Sequence, residues 1–147
     1  MPQFVTAIRR RADLLAVIAG GGALGTLVRW GVDQALPTRP GSFPWATFGI
    51  NVSGSFAIGV FVAIALELTS AHRYLRPFVA VGVLGGYTTF STSMLETRDL
   101  VAASNPSLAL LSLAGTVVAG LLAVLAGLVA GRGALRLRLR DGRERQS

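Results

Sequence analysis

The chain alternates between long apolar stretches and short polar connections. Four apolar stretches stand out, at residues 14–30, 45–68, 75–95 and 108–130. Each has close to the ~17 to 25 residues that a helix needs to cross the hydrocarbon core of a bilayer. The connections contain prolines, other turn-forming residues or charges. The pattern predicts one all-α membrane domain of four transmembrane helices, covering residues 1–147, because no other stretch is long enough for a second domain.

Composition supports a membrane protein. Of the 147 residues, 52% are hydrophobic and 14% are charged, whereas soluble proteins contain about 25% charged residues. The absence of Cys excludes disulfides and thiolate metal sites. The net charge of +7 could suggest a nucleic-acid partner, but the arginines cluster at the two chain ends and not along an exposed amphipathic element. We therefore expect membrane lipid, and no nucleic acid, around this chain.

The positions of the arginines predict the orientation of the helices. With four spans, both chain ends and the central connection lie on one side of the membrane, and that side collects eleven of the 14 arginines. The positive-inside rule then places both termini in the cytoplasm of a multi-pass cell (plasma) membrane protein, with residues 131–147 as an Arg-rich cytoplasmic tail. The first stretch is similar to a secretory signal, but Arg29 stands where a cleavage site would be expected. We expect that stretch to be kept as a helix.

The sequence GGYTTFSTS, within the third apolar stretch, is made of residues that weaken helices. Gly85 and Gly86 raise the entropic cost of a helix, and the hydroxyls of Thr88 and Thr89 compete for backbone hydrogen bonds. We predict that the third helix is broken in the middle of the membrane. Carbonyls freed by such a break can coordinate a cation, and the ring edge of Phe90 carries partial positive charge that can face an anion. The stretch indicates an ion site, and a glycine kink that serves only packing is the alternative.

Polar side chains inside the other spans follow helical spacing. Thr47 and Asn51 are four residues apart, and so are Ser112 and Thr116, which places each pair on one helix face. Hydroxyls often bond only to their own helix. The amide of Asn51, however, has two donors and a carbonyl that a helix backbone cannot satisfy, so it should face a partner or a pore.

Small residues recur at a spacing of four in every span, which allows two helix backbones to approach closely. The pairs are Gly21 with Gly25, Ser55 with Gly59, Gly82 with Gly86, and Gly127 with Gly131. We interpret them as helix-packing positions.

Three stretches resemble, in order and spacing, the signature sequences of the CrcB/Fluc fluoride channels. They are GGALGTLVRW from Gly21, WATFGINVSGSFAIG from Trp45, and GVLGGYTTFSTSMLE from Gly82. The resemblance covers nearly the whole chain apart from its charged ends. It implies an antiparallel, dual-topology type of dimer of four-helix subunits that passively exports fluoride and lowers its cytoplasmic concentration. It also implies a structural sodium ion at the dimer centre.

The resemblance implies roles for single residues as well. Gly85 and Thr88 match the residues whose carbonyls hold the sodium ion. Arg29 matches the arginine that closes the first signature, and we assign it a structural role because a fixed cation in an anion pathway would trap the ion. The residues that correspond to the fluoride pathway are Thr47, Asn51, Phe90, Ser93, Glu96, Ser112 and Thr116.

The chain departs from the family pattern at one pathway position. The family usually has Thr-Phe-Ser-Thr-Phe, and here Ser93 replaces the second phenylalanine. A pore that needs both rings from this subunit would be impaired. Together with the uneven arginine distribution, this predicts a heterodimer with an oppositely oriented homologue, in which one of two pores is weakened. A homodimer whose arginine run binds anionic lipid is the alternative.

Two other functions stay open at this point. A small proton-coupled multidrug-type exporter is also an antiparallel dimer of four-helix subunits, but it needs a carboxylate within the first helix, and Asp13 lies only at the edge of that stretch. A noncatalytic membrane assembly factor would need no polar track. We do not expect an enzyme, because the only His, His72, lies beside Arg73 with no nucleophile or ligand cluster nearby.

Overall fold

The computed structural model describes residues 11–67 and 73–144, and this part of the chain is helical. Four helical stretches are long and apolar enough to cross a membrane, which confirms the predicted all-α membrane architecture. Predictions that involve His72, Arg9, Arg10 and Arg145 lie outside the described residues. The helices are α1 (Ala12–Ala35), α2 (Trp45–Glu67), α3 (Pro77–Leu84 continued by Gly85–Tyr87), α4 (Phe90–Ala102) and α5 (Pro106–Glu144).

The third and fourth spans extend beyond the apolar stretches that predicted them. Helix α4 continues past residue 95 through Glu96 and Arg98 to Ala102, and α5 continues through the Arg-rich segment to Glu144. Arg, Glu and Leu are all good helix formers. Hydrophobicity therefore locates the part of a helix that can lie in lipid, while helix propensity decides where the helix ends.

The helices pack in two close pairs, α1 with α3 and α2 with α5, through glycines. A methyl group added to Gly21 would lie 2.5 Å from the backbone oxygen of Phe78, and one added to Gly127 would overlap the backbone oxygen of Phe56. A side chain at these positions would force the backbones apart, so the packing role predicted for the small residues is confirmed. The other predicted glycines whose added methyl would meet a neighbouring helix are Gly25, Gly59, Gly82, Gly86 and Gly131.

The two ends of the bundle show how the spans are oriented. At one end, the Tyr74 hydroxyl donates to Asp13 Oδ2 at 2.6 Å, and Arg73 forms an ion pair with the same oxygen at 3.4 Å. These contacts bring the start of α1 beside the start of the third span. At the other end, the connection after α1 and the end of α4 line one cavity. Consecutive spans therefore run in opposite directions.

Two residues in the third span have extended backbone. Helix α3 ends at Tyr87, Thr88 has φ −75° and ψ 152°, and Thr89 has φ −147° and ψ 120°. Thr89 is the N-cap of α4, because its side chain accepts a hydrogen bond from the Thr92 N–H at 3.2 Å. We call Thr88 and Thr89 the interruption. The segment Pro77–Leu84, which ends three residues before the interruption, is wound as a π-helix, and the sequence pattern did not predict this. Turns of π-helix are rare in proteins overall, and those that occur often lie at functional sites.

Candidate functional site

A row of polar side chains runs between α2 and the third span. We call it the polar seam and define it as Thr47, Asn51, Thr89, Ser93 and Glu96. Thr47 is 2% exposed, Thr89 6% and Ser93 4%. The members are three or four residues apart along the chain on each side, so they share a helix face. The structure therefore brings together four of the residues that the sequence assigned to the fluoride pathway, and Thr89 joins them.

Asn51 binds the backbone of the interruption. Its Nδ2 donates to the Thr89 carbonyl at 2.9 Å and to Ser93 Oγ at 3.0 Å. Its Oδ1 accepts from the Thr89 N–H at 2.9 Å. One side-chain amide thus satisfies both backbone groups of Thr89. The sequence predicted that this amide faces a partner or a pore, and the structure shows that its partner is extended backbone.

These bonds take away the donors that would close a continuous helix. In an α-helix, the Thr89 N–H would donate to the Gly85 carbonyl and the Thr92 N–H to the Thr88 carbonyl. Here the first donates to Asn51 Oδ1 and the second to Thr89 Oγ1. The two residues predicted to hold a cation therefore both lose their helical donor, and Gly85 is exposed on the surface of the chain.

Ser93 fills the middle of the polar seam. Its hydroxyl accepts from Asn51 Nδ2 and donates to the Thr89 carbonyl at 3.3 Å. The family pattern has a phenylalanine at this position, whose ring could not make either bond. In this chain a hydroxyl uses one of the two N–H groups of the Asn51 amide.

Thr47 and Glu96 form the end of the seam that is farther from the interruption. The Thr47 hydroxyl donates to Glu96 Oε1 at 2.8 Å. The other carboxylate oxygen, Oε2, is buried and has no hydrogen-bond partner among the described residues. Glu96 also lines the cavity at this end of the bundle, which has a volume of 420 Å³ and includes Asp99 and Arg39. The polar seam thus connects the interruption with an open end of the bundle.

A groove of 320 Å³ borders the interruption between α2, α4 and α5. Its polar lining residues are Asn51, Ser55, Thr88, Thr89 and Thr116, and Phe90 lines it together with other apolar residues. Phe90 is 67% exposed, so its ring is accessible from the groove. Of the two hydroxyl residues predicted on α5, only Thr116 lines the groove, while Ser112 is buried and does not. The Thr116 hydroxyl donates to the Ser112 carbonyl at 2.7 Å.

Arg29 is not part of the seam or the groove. It is half-buried on α1 and makes no hydrogen bond or ion pair within residues 11–67 and 73–144. No fixed cation therefore lies among the residues of the seam.

Thr89 is a residue of the site that was not predicted from the sequence to belong to the pathway. Its backbone N–H, its backbone carbonyl and its hydroxyl all make hydrogen bonds. The sequence does contain a signal for the role of the Thr89 hydroxyl, because Thr is a preferred N-cap residue immediately before a helix. Nothing in the local sequence pairs its backbone with Asn51, which is 38 residues away.

Comparison with known proteins decides the family. The family model described as CrcB-like protein, Camphor Resistance (CrcB), matches residues 16–128. The chain belongs to the CrcB family. The match covers α1 to α4 almost completely and stops within α5, before its Arg-rich end. Family membership predicted from the three signature stretches is confirmed.

Several curated relatives are similar to this CrcB chain over most of its length. A protein of Nocardia farcinica named fluoride-specific ion channel FluC 2 is 53% identical over 125 residues, which is 85% of this chain and 86% of the relative. The fluoride-specific ion channel FluC 1 of Streptomyces coelicolor is 43% identical over 130 residues, with 88% and 84% covered. The FluC protein of Magnetococcus marinus is 40% identical over 119 residues, with 80% and 97% covered. Ion channels are not enzymes, which agrees with the class predicted from the sequence.

Proposed function

We propose that this chain is a subunit of a fluoride-specific channel that lets fluoride leave the cytoplasm passively. The polar seam is the observation that carries this proposal. Buried polar groups between membrane-crossing helices cost free energy unless they have partners or serve a pathway. Here they follow one line from the groove at Phe90 to the cavity at Glu96. The names of the relatives, fluoride-specific ion channels, support fluoride as the ion.

The groups along this line suit a small anion that must bind weakly and move on. The ring edge of Phe90 and the hydroxyl and amide groups of the seam offer partial positive charge. A selective pathway needs sites that attract an ion without trapping it. The position of Arg29 outside the seam fits this requirement, and we keep its proposed structural role.

We also propose that the carbonyls of Gly85 and Thr88 hold a structural sodium ion. The diverted Thr89 and Thr92 N–H groups support this, because each leaves a carbonyl without its helical donor. Carbonyl oxygens are suitable ligands for a hard cation, and non-helical backbone in a membrane needs such compensation. The ion would supply positive charge that balances the carbonyl dipoles at the middle of the bilayer.

We propose that the pathway is completed by a second subunit in the opposite orientation. Gly85 and Phe90 are both exposed in this subunit, before and after the interruption. The excess of arginine on one side favours a homologous partner over a second copy of this chain. The serine at position 93 is also consistent with a homologous partner, because this subunit lacks the second of the two phenylalanine rings of the family pattern.

The exporter alternative finds no support in the site. Asp13 is bound to Tyr74 and Arg73 at the end of the bundle, away from the polar seam. A carboxylate held by a cation and a hydroxyl in this way is not the isolated mid-membrane group that proton coupling needs.

Fluoride efflux from liposomes tests the proposed function. The purified chain is reconstituted alone and together with an oppositely oriented homologue, and fluoride and chloride release are followed with ion-selective electrodes. We expect fluoride release without chloride release when both chains are present. Absence of fluoride release in both preparations would contradict a channel, and equal release in both would contradict only the heterodimer.

A further inference from the structure

The interruption is held open by side chains. The N–H groups of Thr89 and Thr92 can each donate to one of two acceptors: a backbone carbonyl, which continues the helix, or a side-chain oxygen, which breaks it. The structure has the second arrangement at both positions.

We infer that Asn51 and Thr89 are positioning residues of the cation site. They act by removing backbone donors from the carbonyls of Gly85 and Thr88, and they do not themselves provide the cation with a ligand. This inference rests on the sodium site proposed above and explains how the chain creates it.

Asn51 keeps the Gly85 carbonyl free of its helical hydrogen bond. Its Oδ1 accepts from the Thr89 N–H and its Nδ2 donates to the Thr89 carbonyl, both at 2.9 Å. This pairing fixes the peptide groups on both sides of Thr89 at once. Without it, two buried backbone groups would lose their partner, and the N–H would recover one by bonding to Gly85. That bond would occupy the oxygen that the cation needs.

The Thr89 side chain keeps the Thr88 carbonyl free of its helical hydrogen bond. Its Oγ1 accepts from the Thr92 N–H at 3.2 Å, the usual interaction of an N-cap residue. Serine can make the same bond, whereas valine has the same shape but no acceptor. The pair Thr89→Ser and Thr89→Val therefore separates the hydrogen bond from packing.

Ser93 offers a control inside the same seam. Its hydroxyl contacts Asn51 Nδ2 and the Thr89 carbonyl, but it makes no bond to either diverted N–H group. Ser93→Ala therefore changes the seam and leaves both diverted donors in place.

The test measures how sodium changes thermal stability. A ligand that binds only the folded state raises the melting temperature with its concentration. The purified full chain, with its partner where the two assemble, is melted over a series of sodium concentrations, with a large organic cation keeping ionic strength constant. We expect Asn51→Leu and Thr89→Val to need at least about tenfold more sodium for the same rise, a change of ~1.4 kcal/mol in binding. Thr89→Ser and Ser93→Ala are expected to respond like the parent.

The outcomes separate this inference from the proposal on which it rests. A parent protein indifferent to sodium would overturn the sodium site, and the inference with it. A sodium response in the parent that persists unchanged in Asn51→Leu and Thr89→Val, even at lower overall stability, would overturn the inference alone. If Asn51→Leu does not fold, the comparison of Thr89→Val with Thr89→Ser decides.

Discussion

At the scale of single residues, the central feature is the use of the Asn51 amide. Both of its N–H groups already donate, one to the Thr89 carbonyl and one to Ser93 Oγ. An anion that binds at this amide must replace one of these acceptors. Ser93 is the easier acceptor to replace, because its hydroxyl can turn away while the backbone carbonyl of Thr89 is fixed.

Removing the Ser93 hydroxyl should therefore increase fluoride transport through the pore that contains Asn51. Ser93→Ala frees one amide N–H, and a neutral hydrogen bond contributes about 0.5 to 1.5 kcal/mol, so we expect an increase of about two- to tenfold. Fluoride efflux from liposomes measures it, with Ser107→Ala in the exposed first turn of α5 as the matched control. An efflux rate below that of the parent would show that the hydroxyl itself carries the ion.

At the scale of helices, the close pairs depend on which face each glycine occupies. Gly20 and Gly21 are neighbours in sequence, yet a methyl group at Gly20 would meet nothing within 4 Å, while one at Gly21 would lie 2.5 Å from the Phe78 carbonyl oxygen. The contact at Gly21 is with backbone, which cannot move without separating the two helices.

This difference predicts opposite results for two adjacent substitutions. Gly21→Ala should lower the free energy of unfolding by about 1 to 3 kcal/mol, because the added methyl overpacks the contact between α1 and α3. Gly20→Ala should leave it unchanged or raise it slightly, because Ala favours a helix. Thermal melts of the two purified variants provide the comparison, and equal melting temperatures would refute the packing role of Gly21.

Local sequence predicts the helices and their small-residue contacts, but not the pairings between distant residues. The lengths of the apolar stretches were enough to predict the four spans, and the spacing of the glycines was enough to predict the packing contacts of Gly21 and Gly127. The hydrogen bond from Thr47 to Glu96 joins residues 49 apart in the chain, and it depends on how α2 and α4 rotate against each other. Propensity gives no information on that rotation, and neither does the hydroxyl pattern that suggested Ser112 as a lining residue.

At the scale of the whole molecule, the arginines predict how the chain is oriented in the membrane. The helix α5 continues well past the lipid-compatible part of its sequence and carries arginines to its end. Each arginine near the cytoplasmic surface favours retention on that side. The subunit should therefore insert in one direction.

Paired reporters at the C-terminus measure this directly. We expect signal from the cytoplasmic reporter and none from the periplasmic one. Replacing four arginines of the tail by Gln lowers the arginine excess and should make a periplasmic signal detectable beside the cytoplasmic one; these are Arg136, Arg138, Arg140 and Arg143. Comparable signals on both sides for the parent would contradict the fixed orientation and favour a homodimer.

Fluoride efflux through a channel whose Asn51 has been changed tests most directly whether the polar seam carries fluoride. Asn51 is the only amide side chain of the seam. Asn51→Ala removes that donor in the pathway, whereas Asn105→Ala removes an amide in the exposed connection before α5. We expect Asn51→Ala to reduce fluoride efflux to the level of protein-free liposomes, and Asn105→Ala to release fluoride at the parent rate. A folded Asn51→Ala protein that releases fluoride at the parent rate would contradict a fluoride pathway through the seam.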